Sequence, residues 1–234
     1  MLFSLTTKAK LRIRQYLTHG LAPRGRSDIK VFCIGLNKTG TTSLEAAFKS
    51  HGFRVGDQNA GEDLVVDWAK RDFDQIIKLC YTADAFQDAP FSLPFTYQAL
   101  DMHFPNAKFI LTIRDNFEQW YDSITRSHSK KWAGGVRIPT TEDLKNATYR
   151  YKGYPYEVNR FMFTSPESDP YEKECLRQYY ESHNDAVVEY FRHRSDRLLV
   201  INLSESSAYS KFCSFLGLEP KGSDFPWLNK TDAK

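Results

Sequence analysis

The chain has no apolar run long enough to cross a membrane or to form the core of a signal peptide. Its four cysteines, Cys33, Cys80, Cys175 and Cys213, lie far apart, with no C-x-x-C pair and no histidine at ligand spacing. That speaks against a disulfide framework and a zinc site, and for reduced thiols in a cytoplasmic setting. With 12 glycines and 10 prolines in 234 residues, and neither repeat nor low-complexity tract, fibrous, solenoid and disordered classes are not expected. An excess of one charge is missing too: 32 Lys and Arg face 29 Asp and Glu, and the net +3 is too small to argue for nucleic acid.

What remains is the length of one domain, enough to bury a core without cross-links. The modest charge is unevenly spread. Residues 1–30 hold Lys8, Lys10, Arg12, Arg14, Arg24, Arg26 and Lys30 against Asp28, which leaves the rest of the chain slightly acidic. Residues 1–29 therefore read as a basic extension to a domain spanning 30–234. The pattern over Leu2–Leu21 suits a basic amphipathic helix that makes a weak membrane-surface contact or caps the domain, although a solvated extension is the simpler expectation.

From residue 31 onward, short apolar runs alternate with helical periodicity, the pattern of a parallel α/β sheet. Strands are expected at Val31–Leu36, Phe53–Val55, Ala85–Gln87, Lys108–Arg114 and Arg197–Leu203. Helices are expected at Thr42–Ser50, Asp63–Cys80, Phe95–Phe104, Phe117–Ser127, Tyr171–Phe191 and Ser207–Leu216. His183 shares a buried stripe with Leu176, Tyr180 and Val187 and reads as a core residue. Residues 130–169 lack a sustained period and read as a lid or acceptor-side segment, with most of its aromatics serving as packing.

The most telling stretch is Val31–Leu44: a buried strand, a loop bounded by Gly35 and Gly40, then a helix start. Such a loop aims backbone N–H groups at one point in front of a helix N-terminus, which makes it an anion site. The usual nucleotide loop carries its lysine after the second glycine, G-x-x-x-x-G-K-[ST]. Here Thr41 and Thr42 follow Gly40, and the only lysine, Lys38, sits inside the loop.

Gly35-Leu36-Asn37-Lys38-Thr39-Gly40-Thr41-Thr42-Ser43 resembles the 5′-phosphosulfate loop of sulfotransferases that use 3′-phosphoadenosine 5′-phosphosulfate (PAPS). Lys108–Asp115 and Trp120–Ser123 resemble the second signature of that family, a strand ending in Arg followed by a helical Ser. The run from Arg197 to Asn229 is similar to a compact bacterial-type branch. The resemblance covers roughly residues 30–230. It implies a three-layer α/β domain of the P-loop NTPase type with a central parallel sheet flanked by helices. It also implies sulfuryl transfer from PAPS to a hydroxyl or amine acceptor, with PAP as product and no metal required. By the same resemblance the loop residues Gly35, Asn37, Lys38, Thr39, Gly40, Thr41, Thr42 and Ser43 hold the 5′-phosphate, and Lys38 neutralises the leaving oxygen. Arg114 and Ser123 take the 3′-phosphate. Nine positions separate those two, one more than in many relatives.

The proton acceptor stays open among three aspartates. Asp88, in Gln87-Asp88-Ala89-Pro90, follows an expected strand and is favoured; Asp57 is second, and Asp84 third. His51 and His103 read as helix-end residues. The acceptor is expected to be a small molecule, lipid or glycan. The rivals are a P-loop kinase, opposed by the missing GK[ST] and by Arg114 where a magnesium-binding Asp would stand, and a nucleotide-binding module without catalysis.

Overall fold

The computed structural model describes residues 29–226; residues 1–28, and with them the amphipathic pattern of Leu2–Leu21, and the closing Trp227-Leu228-Asn229 lie outside the described residues. The chain forms two compact units, one running to Ile113 and resuming at Val187, the other Arg114–Ala186. The second is wider than the 130–169 segment singled out from sequence.

The first unit holds a four-stranded, wholly parallel sheet in the order β2-β1-β3-β4, with β1 Val31–Cys33, β2 Ala85–Phe86, β3 Lys108–Thr112 and β4 Leu198–Ile201. Helices flank it, so the expected α/β class holds. The pleat sends alternate side chains of β1 to opposite faces. Val31 and Cys33 join Ile110 and Ile201 in a core closed by Leu44 and Phe48 of α1 (Thr41–Ser50) and by Tyr209 and Phe212 of a later helix, Ala208–Leu216. Phe32 faces the other way, its ring 5.7 Å from Phe86 and 5.6 Å from Phe109. The chain leaves β1 for β2 on one side and later crosses to β3 on the other. The strand order thus reverses at β1, and it is outside the carboxyl ends of the strands at such a point that open α/β sheets bind ligands.

The structure revises two stretches. The single helix expected over Asp63–Cys80 is two short ones, α3 Val65–Ala69 and α4 Asp74–Leu79, followed by a 3₁₀ turn at Cys80–Thr82, and an unexpected short helix, α2 Gln58–Glu62, precedes them. Asp57 starts the series early by capping α2. Arg71, at φ 60°, interrupts it, its guanidinium 5.0 Å from the Trp68 ring and 4.5 Å from that of Phe95. The Phe53–Val55 strand is reduced to one bridge, Val55 to Ala85, while α5 (Thr96–His103) lies within its expected range.

In the second unit, α6 runs from Phe117 to Trp132, five residues past expectation. The segment read as irregular contains α7 Thr141–Asn146, opened by a Thr140–Asp143 capping box, and α8 Tyr154–Met162, opened by Gly153 and Pro155. Tyr154 and Phe163 are buried, in keeping with aromatics that pack the segment down. His183, on α9 (Lys173–Phe191), is buried as read. The helix Ala208–Leu216, in the first unit, is α10.

Candidate functional site

The loop after β1 is held open from beneath. The Thr39 hydroxyl donates to the Leu36 carbonyl at 2.6 Å and lies 2.6 Å from the Thr112 hydroxyl at the end of β3. Each hydroxyl has one hydrogen. With that of Thr39 given to Leu36, Thr112 donates to Thr39. Cys33, 3.8 Å away, is the donor left for Thr112, and burial pushes its thiol up to about 12, so the proton stays on sulfur. A Cβ on Gly35 would come within 2.1 Å of the Thr112 hydroxyl and 2.4 Å of its carbonyl, so only glycine lets the loop pass this close to β3.

Gly40, at φ 109°, turns the chain into α1, and no side chain caps that helix. Thr41 and Ser43 are buried and Thr42 is exposed on its first turn. The N-terminal amides of α1 thus stand at the end of the β1 loop without a side-chain cap and with the helix dipole behind them, an anion site in form. Lys38 sits half-exposed in the loop at φ 75°. A left-handed conformation costs a side-chain-bearing residue such as lysine about 1–2 kcal/mol, and glycine would avoid it. A lysine kept there suggests a task for its ammonium.

The loop is tied to the segment that carries Asp88. Ser92 donates from its hydroxyl to Asn37 Oδ1 at 3.1 Å and from its backbone N–H to the Asp88 carbonyl at 3.0 Å. Asp88 is also left-handed, at φ 64°, a position aspartate tolerates better than lysine does. Its Oδ2 accepts from Gln58 Nε2 at 3.1 Å, and the same nitrogen donates to Glu62 Oε1 at 3.2 Å. The hydrogen-bonded chain continues through Gln87 to Glu45 on α1. A glycine at position 61 lets α2 press onto the Asp88 loop, since a Cβ there would meet the Ala89 carbonyl at 2.9 Å.

The other two aspartates have structural work. Asp57 accepts from the N–H groups of Asn59 at 2.9 Å and Ala60 at 3.2 Å, the geometry of an N-cap. Asp84 is buried and ion-paired with Arg54 at 3.2 Å, and it also accepts from the Arg54 backbone N–H. His51 ends α1 and meets the Tyr209 hydroxyl at 2.9 Å; His103 ends α5 and meets that of Tyr81 at 2.7 Å. Both are helix-end residues.

Arg114 and Ser123 belong to the second unit. The Arg114 backbone N–H donates to the Tyr180 hydroxyl at 3.0 Å. Burial lowers its guanidinium below the usual arginine value, and the opposing influence of Tyr180 and Asp115 does not cancel this. Glu118 is engaged by Arg177 at 2.7 Å, and Asp115 accepts from Gln119 at 2.8 Å. Ser123 is half-exposed on the second turn of α6.

Sequence reading missed Gln58, Glu62, Gln87 and Thr112. Gln58 and Glu62 stand four apart behind an Asp cap, a visible helical pair; nothing local pointed to the other two. Among the described residues no cluster of His, Cys, Asp and Glu is arranged to hold a metal, and no helix is long and apolar enough to cross a membrane. Against models of protein families, residues 30–233 match the one described as a sulfotransferase domain. No curated protein matches the chain.

Proposed function

The chain belongs to the sulfotransferase domain family, and from that premise we propose that it moves a sulfuryl group from PAPS to a hydroxyl or amine on a small molecule, lipid or glycan. The observation that carries the proposal is the loop itself. Its helix N-terminus suits a phosphate, and its cation stands inside the loop in a strained conformation rather than on the helix.

In this reading the acceptor oxygen attacks sulfur, the bond from sulfur to the 5′-phosphate oxygen breaks, PAP departs and the acceptor proton passes to a carboxylate. The amides and hydroxyls of Gly35–Ser43 take the 5′-phosphate. Lys38 offsets the charge that grows on the departing oxygen, an electrostatic effect that often contributes more than any other to such catalysis. Arg114, whose fork can bond two oxygens at once, takes the 3′-phosphate, with Ser123 beside it in this assignment. Asp88 takes the proton, since Asp57 and Asp84 are engaged in a cap and an ion pair. The reaction requires no metal. We further propose a cytoplasmic protein, without nucleic-acid partners, whose basic residues 1–29 touch membrane surfaces only weakly.

Calorimetry with PAP, AMP and ATP, with and without EDTA, tests the proposal. PAP is expected to bind most tightly and without magnesium. Tighter, magnesium-dependent ATP binding would move the assignment to a kinase.

A further inference from the structure

The hydrogen-bonded chain behind Asp88 has a direction. A carboxylate only accepts, so Gln87 must turn its amide nitrogen toward Glu45 Oε2, at 3.2 Å. The same nitrogen lies 3.4 Å from Gln58 Oε1. That contact orients the Gln58 amide, whose two N–H hydrogens then meet two carboxylates, Asp88 Oδ2 and Glu62 Oε1. Glu45 stands on α1, just beyond the loop. The chain therefore runs from the helix behind the anion site to the proposed proton acceptor, within one compact unit.

As a device for stability alone it is poor. Gln87 is 6% exposed, and its Oε1 has no hydrogen-bond partner among the described residues, an omission that costs about 1–3 kcal/mol. Apolar side chains of similar volume would often be at least as stable as a polar network left incomplete.

We propose that Gln58 is a positioning residue for the reaction. Its amide, donating to Oδ2 while the Ala89 N–H donates to Oδ1 at 3.2 Å, completes the hold on the rotation of the Asp88 carboxylate and stands between it and the Glu62 carboxylate. This rests on the assignment of Asp88 as the base and adds to it the group that holds the base in register with α1.

The test is PAPS hydrolysis with water as the acceptor, read as kcat and KM for PAPS in Gln58→Leu, Asp88→Asn and the double variant. Gln58→Leu is expected to lower kcat roughly 10–100-fold, the scale of a misplaced catalytic group. KM for PAPS should stay within about twofold, since binding is not what Gln58 serves. In the Asp88→Asn background Gln58→Leu should cost nothing more, because the group it positions no longer takes a proton. An equal loss in that background, or a raised KM at unchanged kcat, would overturn the proposal. If Gln58→Leu fails to fold, Gln58→Asn decides: it keeps an amide but retracts it, and wild-type kcat there would also overturn the proposal. Full turnover in Asp88→Asn is a different result, one that removes the base assignment itself.

Discussion

The hydroxyls of Thr39 and Thr112 stand 2.6 Å apart beneath the anion loop and join residues 73 positions distant in the chain. Thr39 passes its own hydrogen to the Leu36 carbonyl, so the ladder runs from β3 into the loop, with Cys33 at its foot. Both threonines are buried. The loop's shape is thus set by the strand beside it as much as by its own glycines.

Thr112→Val keeps the volume and removes the donor. It leaves the buried Thr39 hydroxyl without that donor and should destabilise the fold by about 1–2 kcal/mol. PAP affinity should fall as well, because the loop amides lose a fixed support, and Thr112→Ser should recover most of the affinity. Calorimetry on the three proteins checks this; equal PAP affinity in all of them would mean that the ladder serves stability alone.

Arg114→Ala should weaken PAP far more than AMP, because only PAP carries the 3′-phosphate assigned to this side chain. A charge-assisted contact of this type contributes roughly 1.5–3 kcal/mol, or about 10–150-fold in affinity. The partly buried guanidinium, lowered by desolvation, has the more to gain from an anion. Equal losses for both nucleotides would make Arg114 a structural residue.

The parts of this site that sequence revealed are the parts encoded locally. Gly35, Lys38 and Gly40 fall within six residues, and the apolar run that ends near Arg114 is continuous, so both signatures stand out from spacing. Hydrogen bonds between distant segments leave no such trace. Gln58 and Asp88 are 30 positions apart, and their pairing exists only because α2 packs onto the Ala89–Pro90 turn. The broken helices over 58–79 escaped for a related reason: the apolar period persists while Arg71 turns the backbone left-handed between two rings. In 130–169 the capping box at Thr140 and the Gly-x-Pro start at Gly153 were legible signals outweighed by the segment's composition.

Lys38 offers a test that separates strain from function. Lys38→Gly suits φ 75° without steric cost and should leave stability unchanged or raise it by up to about 1 kcal/mol. Turnover of PAPS should nonetheless fall by about two orders of magnitude or more, the usual loss when a group stabilising transition-state charge is removed. Lys38→Ala should lose as much activity without the gain in stability. Chemical denaturation and PAPS turnover, measured together, check both; a glycine variant of normal activity would show that the ammonium takes no part.

The two leading carboxylates should separate by what each loses. Asp57 accepts from two N–H groups at the start of α2, and asparagine caps helices as well as aspartate does. Asp57→Asn should therefore keep both stability and turnover, whereas Asp57→Ala should cost about 1 kcal/mol of stability through the lost cap. Asp88→Asn keeps one oxygen, enough for Gln58 or for the Ala89 N–H but not for both, and has no basic carboxylate, so it should cost about 1 kcal/mol of stability while PAP affinity holds. Its turnover with a hydroxyl acceptor should drop by roughly 10²–10⁴-fold, the usual contribution of a general base. The acceptor must be an alcohol or water, because a phenol already ionised at the assay pH needs no base and would hide the loss. Turnover lost in Asp57→Asn and kept in Asp88→Asn would transfer the role to Asp57. Loss in neither, with Lys38→Ala still inactive, would mean that the acceptor gives up its proton without help from either carboxylate.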